Sequence, residues 1–154
     1  MSTIIELLVF SVPEAFVIFM LASSISRRKI LLSRSIIISI LFGLVTFSTG
    51  LLLGNYILNI LCSCVLIVLL LKFGGSYELY DAITAGLMAI SIYLAIEFIN
   101  VNFLQMVTDI DPINLGDNLK LKLLWFMPQL LFARGLSFVI RYFANSKFQE
   151  QANE

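Results

Sequence analysis

The chain contains no histidine. That absence removes imidazole general acid/base chemistry, the usual zinc sites and a phospho-accepting histidine in one step. Charge is also scarce, at 13% of 154 residues, where a soluble domain carries about a quarter. Ten basic and ten acidic residues cancel, so no overall field favours nucleic acid or an acidic substrate. The two cysteines, Cys62 and Cys64, lie two apart in an apolar run and point to different helix faces, which supports neither a disulfide framework nor a metal site. No serine sits in a nucleophile motif and no Gly-rich phosphate loop precedes a strand, so neither an enzyme nor a cofactor is expected.

What remains is apolar. Hydrophobic residues make up 60% of the chain, including thirteen Phe, and a soluble fold of this size has too little interior to hide them. Lipid is therefore the expected solvent, and the expected fold is all-α: a polytopic helical bundle forming a single membrane domain. The first apolar run, 3–26, ends at Arg27, Arg28 and Lys29; it lacks a preceding basic region and is long for a cleaved signal, so it is read as a mature span. The run from Ile30 to Leu71, 42 residues, would reach roughly 63 Å as straight helix, about twice the hydrocarbon thickness. It must fold back, and Gly54-Asn55 is the pair best suited to a reversal. Spans at 35–53, 56–71, 82–104 and 119–143 follow, separated by polar loops around Gly74-Gly75 and from Gln105 to Asn118, with a polar cytoplasmic tail at 145–154.

Basic residues favour the cytoplasmic side. With the N-terminus outside, the inner side receives Arg27, Arg28, Lys29, Arg34, Lys72, Arg141 and Lys147, while the outer side receives only Lys120 and Lys122. An N-out, C-in arrangement is expected, in the cell membrane as a multi-pass protein, specifically a bacterial inner or plasma membrane.

Three ionisable residues fall inside the spans: Glu14, Glu97 and Arg134. Each costs about 2.5–3.5 kcal/mol near the bilayer centre, so each is expected to face the bundle interior, a watery cavity or another of the three. Arg134 is the expected counter-ion for Glu97 or Glu14. A buried pair that sets packing register and a site for ligand or ion recognition both fit, and Asn100 extends either one. Pro13, beside Glu14, removes a helical donor and frees the Val9 carbonyl; Pro128 does the same to Leu124. Small residues recur at four-residue spacing, Ser35, Ser39 and Gly43 on one line and Thr46, Gly50 and Gly54 on another, surfaces for close helix packing within the subunit or against a second copy or membrane partner.

The opening Ile4-Ile-Glu-Leu-Leu-Val-Phe-Ser-Val-Pro-Glu-Ala15, a carboxylate shortly before Pro-Glu in the first span, resembles the start of the membrane-sensor region of quorum-sensing-type histidine kinases from Firmicutes. The resemblance covers the membrane part only, without dimerisation helix, phospho-acceptor or ATP-binding module. It implies a free-standing sensor or regulatory relative, with Pro13 and Glu14 the positions carried over. The expected function is thus a non-enzymatic sensor or regulatory subunit that binds a small or peptide ligand or a membrane partner; the alternative is a small transporter, or a transporter's substrate-binding subunit.

Overall fold

The computed structural model describes residues 7–28, 30–109 and 119–151, with side chains to 144. Five helices run through them, each long and apolar enough to cross a membrane, and the described residues contain no strand. The protein is a multi-pass helical membrane protein. Helix α1 spans Leu7–Ile25, α2 Leu32–Leu53, α3 Tyr56–Phe73, α4 Leu79–Thr108 and α5 Leu119–Gln151. Residues 1–6, Lys29, the acidic loop residues Asp111 and Asp117, and the Lys147 side chain lie outside the described residues.

Local chemistry explains the boundaries. At Gly54 the backbone turns left-handed, φ 56°, a conformation glycine adopts without a Cβ clash, and the Asn55 side chain then accepts hydrogen bonds from the Ile57 and Leu58 amides to cap α3. Helices α2 and α4 outrun the apolar stretches read from the sequence. Helix α2 begins at Leu32 with Arg34 in its first turn, and α4 covers 30 residues, about 45 Å, half as long again as the hydrocarbon is thick. Helix α5 likewise continues through most of the polar 145–154 segment, to Gln151. Backbone hydrogen bonding carries a helix past the point where hydropathy stops.

Helix α1 is central, packed by α2, α4 and α5, while α3 packs on the outside against α2 and α4. Ala15, Val17, Ile18, Phe19, Leu21 and Ala22 of α1 are buried. Facing them, α4 presents Ala82, Ala85, Ala89 and Tyr93 at three- and four-residue spacing, where the alanines allow close approach. The outer surface is apolar; Leu52 and Met106 are 84% and 86% exposed, as lipid-facing residues should be.

The first helix does not begin in α register. Residues Leu7–Ser11 form a π-helical turn, and the α-helix starts at Val12, with Pro13 in its first turn. The wide turn places the irregularity ahead of the proline, which then needs no kink further along. Gly43 of α2 lies against this turn: a Cβ there would stand 3.1 Å from the Ser11 carbonyl carbon and oxygen. Ser39, one turn earlier, is 1% exposed and donates its hydroxyl to the Ser35 carbonyl at 2.7 Å. Gly50 approaches Asn59 of α3, beside the 2.6 Å bond from the Thr49 hydroxyl to Asn59 Oδ1.

At the end where α1 meets α2, Arg28 pairs with Asp81 at 2.8 Å and with Glu78 at 3.6 Å, and its guanidinium lies 5.7 Å from the Tyr77 ring centre. The Ser26 hydroxyl donates to Tyr77 Oη at 3.0 Å, and burial pushes that phenol above its ordinary range. These contacts tie the α3–α4 loop to the end of α1.

Candidate functional site

Glu14 enters from α1 and Glu97 from α4, and both line one cavity of about 210 Å³ with Tyr56, Asn59, Ser63 and Tyr93. Helices α1 and α4 pack on each other, and on α4 the buried residues Ile90, Tyr93 and Ile96 lead up to Glu97. Both glutamates are half-buried. Neither makes an ion pair or a hydrogen bond with a described residue. Among the described residues no fully enclosed side-chain oxygen or nitrogen lacks a partner, so these carboxylate oxygens face accessible space.

Two further cavities adjoin. One, about 300 Å³, shares Glu14 and Asn59 with the first and adds Ser11, Thr46 and Gly50. The other, about 380 Å³, shares Glu97 and adds Asn100, Lys122, Trp125 and Gln129. A polar chain borders it: Asn100 Nδ2 donates to the Trp125 carbonyl at 2.8 Å and to Gln129 Oε1 at 3.5 Å, and Gln129 Nε2 donates to Tyr93 Oη at 2.8 Å. Trp125 and Gln129 stand on α5 on either side of Pro128, and the chain uses the Trp125 carbonyl and the Gln129 side chain.

The structure therefore brings Glu14, Pro13, Glu97 and Asn100 into one region and leaves Arg134 out of it. Arg134 makes no ion pair with either glutamate and lines a separate cavity nearer the opposite end of α5. The expected counter-ion arrangement is not formed, because the level of Glu97 on α4 is met on α5 by Trp125 and Gln129, about one and a half to two and a half turns before Arg134. Sequence reading overlooked Asn59, Tyr93 and Gln129. The signal for them is that each is a polar group within an apolar span, weaker than a charge but subject to the same need for a partner.

Replacing Gln129 by Leu is expected to destabilise the protein by about 1–3 kcal/mol, since it strands the Tyr93 hydroxyl, 1% exposed, without its donor. Thermal unfolding in detergent measures this, and adding Tyr93→Phe to the variant should restore part of the loss.

The arrangement suits recognition of positive charge: two carboxylates for an ammonium or guanidinium, tyrosine rings for cation–π contact, and Asn59 and Ser63 for orientation. No family model, curated protein or solved structure matches the chain, so the reading of this site rests on its own geometry.

Proposed function

We propose that this protein is a non-enzymatic membrane sensor or regulatory subunit whose Glu14–Glu97 cavity takes a cationic group, an amine or guanidinium carried by a small molecule or a peptide. The observation that carries this reading is a pair of intramembrane carboxylates, on two different helices, facing one cavity with no partner among the described residues. The cavity reaches Tyr56, the first residue after the α2–α3 turn, so ligand would enter from that end, the outer face in an N-out, C-in plasma-membrane arrangement.

Because one carboxylate belongs to α1 and the other to α4, a cation held between them is bound best at one spacing of the two helices, and binding shifts the population toward it. The π-helical turn Leu7–Ser11 stands immediately before Pro13 and Glu14, and such turns inside α-helices are frequent at functional sites. Such a device accords with the sensor-region resemblance at Pro13 and Glu14. The run of cavities joined through Glu14 and Glu97 favours a second reading, a subunit that passes a cation onward; uptake of an alkylammonium ion into liposomes containing the purified protein alone would decide for it.

The single tryptophan, Trp125, borders the cavity that shares Glu97, and is a built-in reporter. Titrating the protein in nanodiscs with butylammonium is expected to change Trp125 emission saturably, while uncharged pentanol of similar size does not. The response should weaken on acidification, because protons compete for the same carboxylate oxygens. An equal response to pentanol would overturn the proposal.

A further inference from the structure

Arg134 has a different assignment. It lines a cavity of about 250 Å³ between α1, α2 and α5, together with Arg141, Ser23, Ser24, Ser35 and Ser137. The two arginines are seven residues apart, two helical turns on one face, about 10 Å along the axis. Both line the one cavity, and no carboxylate lines it. Neither arginine forms an ion pair with a described residue. Two guanidinium groups lining one cavity, with Arg134 inside the apolar span, favour an anion there.

The hydroxyls define what kind of anion. Ser24 and Ser137 bond each other at 2.8 Å, and the Ser23 hydroxyl donates to the Arg28 carbonyl at 2.6 Å. Ser35 is only 7% exposed, yet its hydroxyl bonds no described residue, which leaves a donor available at the cavity wall. Two planar forks and a hydroxyl suit an oxyanion with several acceptor oxygens, such as a phosphate, over a halide.

The walls and the depth define its source. Phe16, Phe138 and Leu32 line the same cavity, and Leu32 and Phe138 are 67% and 72% exposed to the surrounding lipid. Arg141 lies three residues from Ala144, the end of the apolar stretch, which puts it at interface level, and Arg134 lies about 15 Å from that end, within reach of it for a long side chain extended toward the interface. Arg34, in the first turn of α2 and next to Ser35, adds a positive charge at the same end, of the kind that attracts anionic lipid. We infer that the cavity between α1, α2 and α5 is a binding site for the phosphodiester headgroup of an anionic phospholipid, clamped by Arg134 and Arg141 with its acyl chains along Phe138 and Leu32.

Native mass spectrometry of the full-length protein in detergent tests this, with phosphatidylglycerol and phosphatidylcholine added in parallel. One phosphatidylglycerol per chain should be retained in preference to phosphatidylcholine, and Arg134→Gln/Arg141→Gln should weaken retention at least tenfold. Lys72→Gln, which removes a charge at the same end outside the cavity, should leave it unchanged. If the double Gln variant fails to fold, Arg134→Lys/Arg141→Lys keeps the charge and loses the forks, and weaker retention is again expected. Undiminished retention in either double variant, or an equal loss in Lys72→Gln, overturns the site. Displacement of the lipid by millimolar inorganic phosphate would overturn the lipid as its occupant and assign a soluble phosphate instead.

Discussion

Exchanging Glu14 and Glu97 together for Gln is expected to abolish the Trp125 response to butylammonium while making the protein harder to unfold. Both effects come from the same two charges. In the wild type the carboxylates share a cavity with no described partner, and charge-assisted contacts of this kind contribute about 1.5–3 kcal/mol each to a bound cation. Discounted for an opening toward the bundle surface, two of them correspond to roughly 100-fold or more in affinity. Without ligand the same pair is a liability, since like charges in a low-dielectric site repel and are poorly solvated. Gln keeps the shape and removes the repulsion, so the unfolding temperature in detergent should rise. Each single variant should lose most of the binding, because the two groups act on one ligand and their effects do not add. Unchanged butylammonium affinity in the double variant would remove the carboxylates from the site.

Gly43→Ala is expected to destabilise the fold by about 1–3 kcal/mol, and Gly43→Leu to prevent its accumulation. The added Cβ would lie 3.1 Å from two backbone atoms of Ser11 and 3.3 Å from the Val12 nitrogen. Backbone cannot swing aside as a flexible side chain does, so α2 must move off the π-helical turn as a unit. Gly135→Ala on α5 is the matched comparison: nothing lies within 4 Å of the position its Cβ would take, and the gain in helix propensity, up to about 1 kcal/mol, should appear as a small stabilisation. Thermal unfolding of the two alanine variants in one detergent gives the contrast. Ser11 also lines the cavities that adjoin Glu14 and Glu97, so Gly43→Ala should weaken the Trp125 response as well.

Much of the architecture is legible in the amino-acid sequence. Five apolar stretches of adequate length, with a reversal at Gly54-Asn55, follow from hydrocarbon thickness and from turn chemistry confined to neighbouring residues. Helix lengths are less legible: α4 and α5 continue beyond their apolar cores because a polar residue ends hydropathy without ending backbone hydrogen bonding.

The amino-acid sequence on its own determined that the chain crosses lipid in helices, and that Glu14, Glu97 and Arg134 lie within them. Only the tertiary structure decided that α1 is the central helix, that Glu14 and Glu97 line a common cavity, and that Arg134 lines a different one, with Arg141 and Ser35. The physical reason is the solvent. In water the outward face of a helix is polar and the inward face apolar, so the sequence reports orientation; in hydrocarbon both faces are apolar, and rotation about each helix axis is chosen by close packing at residues such as Gly43, Ala85 and Ala89.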